Sequence, residues 1–171
     1  LIDDKYNTDD SFDDLIGALS GVNVDDDEDD DESGSLEILE EVGDAAPIVR
    51  FVNMVLYQAL KNQAADVHFE PFEDTYQIRM KVSGSMKILT PPPKELAPAI
   101  ASRLKIMAGL DITERRAPQD GRIAEMIAGE ELVFRMSTLP TRFGESVALR
   151  LLDAKNSDLV ALDNLNIPEK V

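Results

Sequence analysis

Arginine carries most of the chemical possibility in this sequence. Arg115 and Arg116 stand side by side in a polar stretch, and Arg122, Arg135 and Arg150 recur in segments that alternate apolar with polar residues. A guanidinium is a permanently charged planar fork that meets two oxygens of a phosphate or a carboxylate at once. In Glu131 to Leu139, Arg135 shares parity with Val133 and Ser137, whereas Leu132, Phe134 and Met136 take the opposite face. In Ser146 to Leu152, Arg150 likewise stands with Ala148, opposite Val147, Leu149 and Leu151. Side chains alternate across a strand, so both arginines emerge on the face away from a core. They converge if the two strands pair as a hairpin around Phe143 and Gly144. Two readings stay open at this point: the arginines meet phosphate oxygens, or they pair with surface carboxylates, which parity alone favours.

Other chemistry is narrower. The sequence contains no GxxxxGK[ST], GxGxxG, HExxH or GxSxG stretch. His68 is the only histidine, which excludes catalytic triads and multi-histidine metal sites; in an alternating segment it reads as a partly buried polar residue. Cysteine is absent, which excludes disulfides, iron–sulfur clusters and cysteine-ligated zinc and fits a reducing compartment, taken as the cytoplasm.

The elements that must hold these residues follow from periodicity. From Pro47, residues Ile48, Phe51, Val52, Val55, Leu56, Ala59 and Leu60 line one face of a helix running to about Gln63. Asp66 to Glu70 and Tyr76 to Val82 alternate as strands, and Gly84 turns the chain into a third strand around Met86 to Leu89, ended by Pro91, Pro92 and Pro93. A second helix, about Lys94 to Ala108, turns Leu96, Ile100, Leu104 and Met107 inward and closes at Gly109. An irregular stretch from Asp111 to Gly121 precedes a hairpin of Arg122 to Ile127 with Glu131 to Leu139, and one more strand follows. The order αβββαβββ implies an α+β domain with a meandering, mostly antiparallel sheet packed on two helices.

Charge divides the chain unevenly. Residues 1 to 46 hold 18 of the 34 acidic residues and one of the 17 basic ones, Lys5, leaving 16 of each sign in the rest. The whole formal charge of −17 therefore belongs to the leading segment, and no basic stripe speaks for nucleic acid as a partner. Residues 25 to 32 read DDDEDDDE and are expected to form an acidic disordered linker over 25–44. Before it, Phe12, Leu15, Ile16 and Leu19 sit at helical spacing in an acidic amphipathic segment, 1–24, that is either a docking element or a tail without a role. No apolar run approaches the roughly 20 residues of a membrane span, so direct insertion is not expected. The opening Leu1 suggests a cut or processed chain.

Three blocks carry a wider likeness: AAPIVRFVNMVLYQALKNQAADVHFEPFED, SRLKIMAGLDITERRAPQDGRI and FRMSTLPTRFGESVALRLLD. In this order, from about Asp44 to Asp153, they resemble the second N-terminal domain of the type II secretion and type IV pilus assembly ATPases. The resemblance implies a PAS-like domain over 45–154 and a connector, 155–171, toward a RecA-like motor domain with Walker A and B motifs beyond Val171. It implies a cytoplasmic hexamer, peripheral at the inner membrane, whose partners are the motor domains of the same and neighbouring chains, inner-membrane platform proteins and cytoplasmic adaptors. ATP and Mg2+ are implied for the full-length protein and not for this segment, which holds no catalytic residue or metal site of its own. The positions matching the family's phosphate-facing arginines are Arg135 and Arg150; Arg116 and Arg122, in ERRAPQDGR, match further characteristic positions whose target is phosphate, a neighbouring subunit or their own loop. Asp120 and Glu114 are equally good structural partners for them, and Arg103 reads as an interface residue. Lys81 and Ser83 replace a commoner arginine and aspartate, while Ala65, Val67 and Phe69 are volume-tolerant changes. Two rivals remain: a stand-alone interaction domain indifferent to ATP, and the retraction branch of the same superfamily, which ERRAPQDGR disfavours.

Overall fold

The computed structural model describes residues 16–17, 46–127 and 129–152. The linker 25–44, the connector 155–171 and the segment 1–24 apart from Ile16 and Gly17 lie outside the described residues. Ile16 and Gly17 are helical, and Ile16 packs partly buried against the core.

Helix α1 spans Ala46–Lys61, and the apolar residues at three- and four-residue spacing, Ile48, Phe51, Val52, Val55, Leu56 and Ala59, are fully buried. Leu60, expected on the same face, is only half-buried. The helix ends two residues before the expected Gln63. That residue takes a left-handed φ of 51°, its N–H bonds the Leu60 carbonyl at 3.0 Å, and the Ala64 N–H bonds the Ala59 carbonyl at 2.9 Å. This pair of bonds satisfies carbonyls that a helix otherwise leaves unpaired. Three strands follow, β1 (Asp66–Pro71), β2 (Tyr76–Val82) and β3 (Ser85–Ile88). Ser83 and Gly84, at φ 49° and 81°, supply the two left-handed residues that a two-residue hairpin needs.

The second helical segment divides at its proline. A 3-10 turn, Lys94–Leu96, leads into α2 (Ala97–Ala108), where Pro98 occupies the first turn. There its missing N–H costs no intrahelical bond. Gly109, at φ 65°, closes α2 with the same two-bond pattern that ends α1. The second meander is β4 (Gln119–Ile127), β5 (Glu130–Thr141) and β6 (Gly144–Leu152). β4 therefore begins three residues before the expected Arg122.

All neighbouring strands are antiparallel, in the order β3-β2-β1-β6-β5-β4. Two three-stranded meanders thus meet at a central seam between β1 and β6. Val67, Phe69, Ile78, Met80, Ile123, Phe134, Met136, Val147 and Leu149 form one buried cluster with the inward residues of α1 and α2. The α+β architecture and the inward parity of the strands are as expected from the sequence, and the other face of the sheet is left without a helical cover among the described residues.

Candidate anion site on the open face of the sheet

Register places the arginines. Arg122 lies directly opposite Arg135 on the neighbouring strand, Arg135 directly opposite Arg150, and Arg150 directly opposite Asp66. Three cations thus occupy one row across β4, β5 and β6, with a carboxylate at the seam. Opposed residues on paired strands have Cβ atoms about 5 Å apart, and like charges so placed destabilise a sheet. A row of this kind costs stability unless anions meet it.

Part of that compensation is intramolecular. Arg150 Nε donates to Asp66 Oδ1 at 2.8 Å, and the carboxylate holds the guanidinium still further above its already high titration range. The Asp66 side chain is only 11% exposed, while that of Arg150 is 70% exposed. Bonding through Nε anchors the inner edge of the guanidinium and leaves its terminal Nη edge outward. Arg135, with a 68% exposed side chain, stands 3.9 Å from Asp120 Oδ1, which also accepts a 2.6 Å hydrogen bond from Ser137 Oγ. The surface-carboxylate reading is thus met in part, by one close contact and one long one. Among the described residues Arg122 forms no ion pair.

The adjacent row explains a hollow beside these cations. It runs Arg79, His68, Ala148, Ser137, Asp120 across β2, β1, β6, β5 and β4. Ala148 is its smallest member, so the sheet dips there to a shallow hollow of about 190 Å³ lined by Asp66, His68, Arg135, Ser137, Ala148, Leu149 and Arg150. The expected convergence of Arg135 and Arg150 is what the register provides. The inclusion of Asp66 and His68 was not expected.

Arg115, Arg116 and Arg103 lie elsewhere. Arg103 is half-buried on α2, on the helix side of the sheet. Arg115 and Arg116 are exposed in the loop between α2 and β4. Glu114 bonds that loop's backbone rather than a guanidinium: its Oε1 accepts from the N–H of Arg116 at 2.5 Å and of Ala117 at 3.0 Å. Asp120 serves Arg135 and Ser137. Neither acid is therefore the partner expected for Arg116 or Arg122.

The loop is fixed from beneath by a residue that the sequence did not single out. Lys105, on α2, is 1% exposed; its Nζ donates to the Glu114 carbonyl at 2.6 Å and ion-pairs with Glu145 Oε1 at 2.5 Å. Gln119 Nε2 adds bonds to the carbonyls of Asp111 and Glu114 at 2.9 and 3.1 Å. Thr113 donates twice to Asp111 Oδ1, which holds that carboxyl below its usual range. Gly121 lets β4 approach the end of α2, since a Cβ there would lie 2.9 Å from Leu110 Cδ2 and 3.2 Å from Ala108 Cβ.

Comparison with known proteins adds a family to this geometry. Residues 41–171 match the model of the family described as "Type II/IV secretion system protein". The chain is 47% identical over 130 residues to the type IV pilus assembly ATPase PilB of Myxococcus xanthus, covering 75% of this chain and 23% of that one. It is 45% identical over 127 residues to the protein of the same name from Pseudomonas aeruginosa, covering 74% and 22%. Type II secretion system protein E of Pectobacterium carotovorum is 46% identical over 127 residues, covering 74% and 25%. The chain spans about a quarter of the length of the curated relatives it matches. A solved structure of the pilus retraction motor PilT with bound ADP overlaps at a TM-score of 0.41 and 18% identity over 60% of this chain and 29% of that one, too distant to argue from.

Proposed function

The chain belongs to the type II/IV secretion system protein family, and from that premise we propose that it is the regulatory and mechanical, arginine-donating portion of an ATPase that powers type IV pilus assembly or type II secretion. The observation that carries this reading is the row Arg122, Arg135, Arg150: three neighbouring cations with one close carboxylate and one distant one. Such a row fits phosphoryl oxygens, because guanidinium forks match their geometry and an anion relieves the mutual repulsion.

In this reading Arg135 and Arg150 reach ATP phosphates held by a RecA-like motor domain of the same chain, with Arg122 and Arg116 in supporting positions. The nucleotide supplies a phosphoryl group whose transfer builds charge on its equatorial oxygens, and a fixed guanidinium stabilises that charge. Asp66 orients Arg150 for the task by holding its Nε. The same contact makes the sheet swing with the nucleotide's state, since the arginines sit on strands rather than on a pliant loop. Magnesium would be held by the motor portion; among the described residues no cluster of three or more histidine, aspartate or glutamate side chains is arranged for a metal. A hexamer, cytoplasmic and peripheral at the inner membrane, with platform and adaptor proteins as partners, completes the proposal. No described helix is long and apolar enough to cross a membrane.

The rival reading, a stand-alone interaction domain indifferent to ATP, calls for an apolar groove on the sheet. The hollow's rim of Arg135, Arg150, Asp66 and His68 favours the phosphate reading instead. The test is the ATPase rate of the full-length protein with Arg135→Ala and Arg150→Ala, with assembly checked by light scattering. A loss of about a hundredfold or more with assembly intact supports the proposal; an unchanged rate sinks it.

A further inference from the structure

His68 is the one histidine of the chain and the residue that the phosphate reading does not use. It lines the same hollow as Arg135 and Arg150, one row away, across the small Ala148 from Ser137. It is half-buried at the centre of the sheet, so its backbone is held by strands on both sides. We propose that His68 is a third anion-binding group of this hollow, donating an imidazole N–H to a phosphoryl oxygen bound by Arg135 and Arg150, and that its protonation makes anion affinity pH-dependent. The inference rests on the phosphate reading and adds to it a further binding residue and a titratable control.

The chemistry of the surroundings sets the sign. The groups facing His68 are Asp66 and Glu70 on its own strand, Arg79 and Lys81 on β2, Arg150 on β6 and Arg135 on β5, with Asp120 beyond Ser137. Both flanking carboxylates are already engaged: Glu70 accepts from Arg79 Nε at 2.6 Å and Nη2 at 2.8 Å, and Asp66 accepts from Arg150. A bound phosphoryl group brings fresh negative charge. An imidazole gains a second N–H on protonation and is ordinarily half-protonated near pH 6.5. An anion held close to it favours the charged ring, and linkage then requires that affinity rise as pH falls through the histidine's range. Ala148 matters as the floor: a larger side chain there would fill the space without altering any charge.

A single histidine gives a single imidazole Cε1–H signal, so the proposal is tested on the full 171-residue chain by proton NMR between pH 5 and 8 at low ionic strength, without and with saturating inorganic pyrophosphate. The expected result is an upward move of the His68 midpoint by on the order of one pH unit on pyrophosphate binding. The affinity of the native chain relative to that of His68→Gln then rises about tenfold from high to low pH, the ligand's own titration being common to both, and Ala148→Leu abolishes the binding itself. The fold of each variant is checked by circular dichroism. If pyrophosphate binds, and Arg135→Ala with Arg150→Ala abolishes it, but the His68 midpoint does not move, the histidine proposal is overturned while the arginine reading stands. If pyrophosphate does not bind, or binds the arginine variant equally, the histidine proposal is overturned, and the arginine reading is decided by the ATPase rate of the full-length variants.

Discussion

The two meanders of this sheet use arginine in opposite ways. In β1 to β3, Arg79 is closed off by Glu70, which takes both Nε and Nη2 in a fork and leaves little of the guanidinium to offer. In β4 to β6, three arginines stand abreast with carboxylates only at the margins, and the best anchored of them, Arg150, is held through Nε alone. Both sets lie on the same face of the same sheet. The type of residue therefore does not decide between structure and recognition; the number of acceptors within reach does.

The arginine-rich half also carries a buried anchor, and removing it should give the largest effect. Lys105→Met strands the Glu145 carboxylate, only 10% exposed, and frees the Glu114 carbonyl. Denaturant unfolding should show a loss of about 3–5 kcal/mol, largely recovered when Glu145→Leu is added. An undiminished midpoint in the single variant would mean that the pair is not what fixes this half. Next comes the arginine contrast itself: where Arg135→Ala with Arg150→Ala costs about a hundredfold in ATP turnover of the full-length protein, or about 2.7 kcal/mol, Arg79→Ala should stay within a factor of two or so. Equal losses from both would erase the distinction between the halves. Gly121→Ala should cost about 1–3 kcal/mol, because Ala108 Cβ cannot rotate away from the new methyl and β4 must shift; a neutral result would show that the β4 end of the row is not tightly seated. The smallest effect belongs to the sealed pair, where Arg79→Ala should lower stability by about 0.5–1 kcal/mol, less as salt is added.

How much of this was legible in the sequence depends on whether the deciding contact is local. Parity along β5 and β6 was enough to put Arg135 and Arg150 on one face, while the loop that sets them directly opposite each other is Arg142 and Phe143, one residue before the expected Phe143 and Gly144. The closing of α2 at Gly109 was readable from a glycine after an apolar helix, whereas α1 stops at Lys61 and is closed by a left-handed Gln63, a residue type that gives no such signal. The start of β4 was missed because Gln119, Asp120 and Gly121 are poor strand formers; tertiary bonds override that preference, with the Gln119 N–H reaching Thr138 Oγ1 at 3.1 Å. Lys105 could not be found from its own helix, where a lysine reads as solvent-facing. Its burial is dictated by Glu114 and Glu145, on other elements. Asp66 and His68 entered the site only through pairing of β1 with β6, which sets them opposite Arg150 and Ala148 far along the sequence.

That last pairing has a kinetic meaning. Each meander closes through short hairpins, but the β1–β6 seam joins residues as distant as Asp66 and Arg150, 84 positions apart. Contacts of such separation are reached late, after the entropy of closing a long loop has been met. The hollow straddles this seam, so it exists only once the two halves have zipped together, and the anion proposed to bind there would act as a rivet across the join and slow their parting.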